Sequence, residues 1–109
     1  MEKLIERGLL YDNYGGLLNE KNKRIYEACV VDDMSLAEIA EEMGISRQAV
    51  SETLKRTDDK LRKYEEELGL IRKGRMLGEY ASSLRTALGG DSIDRTEIEK
   101  IADALEEVI

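Results

Sequence analysis

Residues 35–56, SLAEIAEEMGISRQAVSETLKR, constrain this chain more than any other stretch: two short apolar stripes, each opened by a serine and hinged at Gly44. Ser35 can cap a helix while Glu38, three positions on, reaches back to the cap's own N–H. Met34 and Ile39 flank that box at the spacing of a hydrophobic staple. Ile39, Ala40 and Met43 follow as one narrow apolar stripe, with Glu38, Glu41 and Glu42 left to solvent. Gly44 has no Cβ to oppose a left-handed helix end, so the helix stops there and Ile45 folds back onto it. Ser46 caps a second helix, Ile45 and Val50 repeat the staple spacing, and Ala49, Val50 and Leu54 face inward. Small Ala40 lets two helices cross steeply and closely through so short a turn.

Behind the cap Ser46, the residues Arg47, Gln48, Ser51, Glu52, Lys55 and Arg56 project outward. Their chemistry suits duplex DNA: Arg pairs bidentately with guanine, Gln with adenine, Glu accepts from cytosine N4, and Ser is permissive. Lys55 and Arg56 fit phosphates better than bases. A plain helical hairpin with a wet outer face carries the same pattern, so the fold is a firmer expectation than the ligand.

The rest of the composition narrows the class. With no Pro, Phe or Trp and an abundance of Leu, Glu, Lys, Ala and Arg, the expected fold is all-α. At 109 residues there is room for one core, or for a small domain with an appended segment. Histidine is absent and Cys29 stands alone, so zinc sites and Ser/His or Cys/His catalysis lack their parts. Cys29, four residues after Ile25, is expected as a small core hydrophobe. No metal, no cofactor and no enzymatic activity are expected. There is no run of eighteen apolar residues and no signal pattern, so a cytoplasmic chain without a membrane span is the expectation.

A net charge of −7 opposes generic nucleic-acid binding. Its distribution softens the objection: the last nineteen residues hold seven acids against two bases, outside the proposed reading unit. Arg47, Lys55 and Arg56, with Lys21, Lys23 and Arg24, form a short phosphate-contact set, so weak and salt-sensitive binding by one copy is expected. Useful affinity then needs a dimer or a second partner.

Along the chain, Leu4, Ile5, Leu9 and Leu10 open an amphipathic helix that residues 12–16, DNYGG, should end, pinning Leu17 and Leu18 into the core. Asn19 caps the next helix, which runs through Ile25, Tyr26, Cys29 and Val30. The candidate reader is the fourth helix, and it outlasts its outward face: Leu54, Thr57, Leu61, Tyr64, Leu68 and Ile71 keep a 3-4-3-4-3 coiled-coil spacing. At about 1.5 Å per residue, residues 47–68 span on the order of 33 Å. Gly69 and Gly74 are expected to bracket a turn, after which Leu77, Tyr80, Leu84 and Leu88 fold back on the seam. Gly89 and Gly90 break the chain before a last helix capped at Asp94, with Ile98, Ile101, Leu105 and Val108 as its apolar face. The expected division is a helix-turn-helix domain over residues 1–68 and a helical extension over 69–109. The extension either packs on the long helix or mediates dimerisation, and Leu54, Leu61, Tyr64, Leu68 and Ile71 form the expected dimerisation seam.

Residues 18–61, with the core SLAEIAEEMGIS-R-x-x-V-x-x-x-L, resemble the fourth conserved region of sigma-70-type factors, which reads the upstream promoter element. More narrowly, LLYDNYGGLLNEKNK, the same core and LKRTDDKLRKYEEELGL are similar to the YlxM-like family of small bacterial proteins. That resemblance implies a cytoplasmic, all-helical protein with a sigma-like DNA-binding fold, and a regulatory or accessory role in the signal recognition particle pathway. Sigma-type recognition carries over to Arg47, Gln48, Ser51, Glu52, Lys55 and Arg56, with Ser46 as cap. Two functions follow as expectations: a homodimeric DNA-binding regulator, or a protein contacting the targeting particle's GTPase or RNA without DNA.

Overall fold

The computed structural model describes residues 2–109, and every described regular element is helical. The chain divides into two compact units, Met1–Gly69 and Leu70–Ile109. In the first, α1 (Glu2–Tyr14), a 3-10 turn (Gly15–Leu17), α2 (Glu20–Val30), α3 (Leu36–Met43) and α4 (Arg47–Leu68) follow one another. The second contains α5 (Leu70–Leu88) packed against α6 (Arg95–Val108).

Helix ends in the first unit follow side-chain chemistry. Asn19 accepts from the Asn22 N–H at 2.8 Å and Ser46 from the Ala49 N–H at 3.0 Å. At Ser35 the box closes both ways: its Oγ accepts from the Glu38 N–H at 3.1 Å, and its own N–H donates to Glu38 Oε1 at 3.0 Å. Donation from the Ser35 backbone N–H, helped by the Ser35 hydroxyl, holds the exposed Glu38 carboxyl below its usual range.

The core of this unit is built from Leu10, Tyr14, Leu18, Ile25, Tyr26, Ile39, Val50, Leu54 and Leu61. A polar cluster runs through it. Asp58, 4% exposed, accepts from Arg7 through Nε at 3.0 Å and Nη2 at 2.6 Å, and from the Tyr26 hydroxyl at 2.7 Å. Tyr14 donates to Glu65, and Tyr11 to Glu27 at 2.6 Å. These contacts tie α1 and α2 to α4 and fix the long helix from behind.

Helix α1 ends inside residues 12–16, as the DNYGG segment leads one to expect, at Tyr14, which is 1% exposed. Gly15 then has to be glycine, because a Cβ there would lie 2.7 Å from the Tyr11 ring. Leu18 is buried but Leu17 is 56% exposed, since the tight 3-10 turn sends neighbouring side chains apart. Gly74 forms no turn: it lies inside α5, at a cost of about 1 kcal/mol relative to alanine, and a Cβ there would meet nothing within 4 Å.

The seam also departs from expectation. Leu54 and Leu61 are 4% and 0% exposed and belong to the chain's own core. The half-buried Tyr64 sets its ring 6.0 Å from Tyr14. Gly69, at φ +62°, ends α4, so Ile71 stands on another helix. Of the seam on α4, only Leu68 remains well exposed, at 47%. Cys29 is partly, not fully, buried. In the second unit Asp94 caps α6 by accepting from the Thr96 and Glu97 N–H groups, while Ile93, the residue before it, is 61% exposed.

Candidate nucleic-acid interface

Helices α3 and α4 meet through a three-residue turn whose geometry is set by Gly44 at φ +68° and ψ +34°. The Gly44 N–H donates to the Ala40 carbonyl, and Ile45 reaches the same oxygen at 3.1 Å, closing the helix end. Ala40 is 7% exposed and Val50 fully buried, so the two helices meet through small and branched side chains. This arrangement is a helix-turn-helix.

The far side of α4 then follows from helix periodicity. Val50, Thr53, Leu54 and Thr57 are buried, whereas Arg47, Gln48, Ser51, Glu52, Lys55 and Arg56 are all exposed. At 100° per residue those six occupy one half of the helix surface in two adjacent rows, 47-51-55 and 48-52-56. They extend along about 14 Å of helix axis, roughly four base-pair steps. Ser46 sits at the start of both rows, its side chain committed to the cap.

The ion pairs of Arg7 with Asp58 and of Arg62 with Glu6 and Asp59 involve none of the outward residues 47–56. Arg47, Lys55 and Arg56 are therefore not neutralised by neighbouring carboxylates. Three cations and one carboxylate, Glu52, make residues 47–56 locally positive in an acidic chain. The acids of the motif, Glu38, Glu41 and Glu42, are exposed on α3 instead.

A groove beside this face adds one residue that sequence reasoning missed. Lys3, at the start of α1, lines it together with Ser35 and Leu36 of α3 and Ser51 and Lys55 of α4. Lys3 stands 52 positions from Lys55, and only the docking of α1 along α4 by Arg7 and Asp58 brings them to one groove. Arg24 behaves differently from expectation: it lines a separate hollow with Glu20, Glu27, Asp32 and Glu42, where a phosphate meets net negative charge. The structure does not join it to the α4 face.

Among the described residues no group of three or more acidic or sulfur side chains is arranged to hold a metal, and no helix is long and apolar enough to cross a membrane.

Comparison with known proteins agrees with this geometry. A family model described as "UPF0122: Putative helix-turn-helix protein, YlxM / p13 like" matches residues 1–104. A UPF0122 protein of Bacillus cereus is 33% identical over 108 residues, 99% of this chain and 98% of that protein. A UPF0122 protein of Bacillus thuringiensis subsp. konkukian matches to the same extent. One from Caldanaerobacter subterraneus subsp. tengcongensis is 52% identical over 65 residues, 60% of this chain and 56% of the relative.

Proposed function

The chain belongs to the UPF0122 family of YlxM/p13-like helix-turn-helix proteins, and on that premise we propose that it is a regulatory protein that binds duplex DNA through the outer half of α4. The observation that carries this reading is the face itself: six exposed polar side chains in two rows, locally cationic, on a helix anchored from behind. An α-helix presented this way fits a major groove about 12 Å wide. Arg47, Gln48, Ser51 and Glu52, nearest the helix start, read base edges. Lys55, Arg56 and Lys3 hold phosphates.

One copy offers few phosphate contacts, so the binding form is a homodimer on two half-sites, spaced by about 34 Å or a multiple of it. Band shifts of genomic fragments at low salt test the reading. It expects retarded complexes that weaken steeply with salt and are lost in an Arg47→Ala/Lys55→Ala/Arg56→Ala variant. No retarded fragment at low salt would end it.

The role in the signal recognition particle pathway is supported by the family resemblance. There the same α4 face meets the particle's RNA or GTPase in the cytoplasm. Recovery of neither from a pull-down with the full chain would remove that part and leave DNA binding untouched.

A further inference from the structure

We infer that α5 is the dimerisation helix, and that it docks antiparallel against α5 of a second copy about a two-fold axis between Leu77 and Ala81, level with residue 79. This supplies a surface for the two-copy arrangement proposed above and rests on that arrangement, not on DNA contact.

The second unit does not satisfy its own apolar surface. Of its forty residues only Ile101 is buried, while Leu70, Leu77 and Leu88 are 44%, 43% and 54% exposed. Two helices of this size bury too little to stand without a further layer. The exposed positions are not scattered. Leu70, Gly74, Leu77, Ala81 and Leu88, with the half-buried Leu84, follow an unbroken 4-3-4-3-4 spacing and fall on one stripe of α5. Ala81, Leu84 and Leu88 also line a shallow hollow on that stripe.

What selects a second copy as the occupant is the order of sizes along the stripe. Run antiparallel about Glu79, Leu70 meets Leu88 of the other copy, Gly74 meets Leu84, and Leu77 meets Ala81. Each small position receives a leucine, and the symmetry repeats every match on the other side. The flanks agree. Lys73 faces Ala87 of the other copy and Arg85 faces Ile71, so no like charges meet, and Gly78 opposes its own copy.

Two glycines in one helix interior then have a reason. Neither Gly74 nor Gly78 is demanded by the chain's own packing, since a Cβ at either would meet nothing within 4 Å. Both are demanded by a closely approaching second helix. At roughly 28 Å of helix length the contact lies at the small end of stable interfaces, so the dimer is a micromolar one.

Sedimentation velocity on the full chain without DNA tests this. The wild type is expected to pass from monomer to dimer over micromolar concentrations. Leu84→Arg and Gly74→Leu are each expected to weaken association by about tenfold or more at unchanged helical circular dichroism. Gly74→Leu keeps the test valid if Leu84→Arg disturbs the hairpin, because it enters open space in the monomer. In a Cys29→Ser background, oxidising a mixture of Leu77→Cys and Ala81→Cys chains should give the mixed disulfide ahead of either self-disulfide.

A wild type that stays monomeric throughout, a dimer indifferent to both substitutions, or a dominant Leu77→Cys self-disulfide would each overturn the inference. Band shifts separate the two readings. A dimer that ignores DNA sinks the α4 reading alone, and DNA binding by a strict monomer sinks this inference and the two-half-site arrangement while leaving the α4 reading standing.

Discussion

Asp58 shows how little of a buried polar cluster a sequence displays. By spacing it is one more charge filling the flank of a long helix. In the structure it is 4% exposed and serves both Arg7, 51 residues away, and Tyr26. Nothing local marks that pairing, because the partners come from three helices. Removing one side of a buried ion pair leaves the other charge stranded, so Asp58→Ala should cost about 3 kcal/mol in urea unfolding. Thr57 beside it is the reverse case: its buried hydroxyl has no hydrogen-bond partner, and Thr57→Val should be neutral or stabilise by about 1 kcal/mol. Two tyrosines set the alkaline limit. Burial, then the hydrogen bond to Glu27, pushes Tyr11 up to about 12; burial and Asp58 push Tyr26 up as well. The folded chain thus holds these phenolic protons more tightly than the unfolded chain does. Their contribution is complete below about pH 10 and drains as pH rises beyond it. The urea midpoint should fall between pH 10 and 12 as tyrosinate absorbance appears, and Tyr26→Phe should flatten that fall.

At the scale of the element, the ends of helices α2, α3, α4 and α6 were legible because capping chemistry is local. Asn19, Ser35, Ser46 and Asp94 each accept the backbone N–H groups their positions suggest. Gly44 was legible for the same reason, as a left-handed helix end, and Gly69 as a break in the chain after α4. Gly74 was not, because a glycine inside a helix costs only about 1 kcal/mol and its neighbours on either side favour helix. The seam was half legible: its spacing is real, but spacing cannot say whether Leu54 and Leu61 meet another chain or the chain's own α1 and α2. Replacing Ser46 by Ala should cost about 1 kcal/mol of stability through the lost cap. On the outward face the effects should divide by role. Gln48→Ala should lose about 1 to 3 kcal/mol of discrimination at one base pair. Lys55→Ala should weaken all sequences alike and lower the salt slope by about one. Fluorescence anisotropy with matched and mismatched duplexes reads both.

At the scale of the whole molecule, a chain of net charge −7 is an unpromising DNA binder until its charge is mapped. The acids crowd α3, the end of α4 and α6, while residues 47–56 and Lys3 present cations. An acidic body suppresses loose, sequence-blind association, so what binding there is should depend on correct docking of α4. With three phosphate contacts per copy, two copies should give a log–log salt slope of roughly −5. The central claim is that the outer half of α4 reads duplex DNA, and selection from a randomised duplex pool with the full chain at low salt tests it most directly. The account predicts enrichment of one recurring motif, retained by the wild type and lost by the Arg47→Ala/Lys55→Ala/Arg56→Ala variant while its helical content and unfolding midpoint stay unchanged. No enriched motif, or equal retention of the pool by wild type and variant, would contradict it.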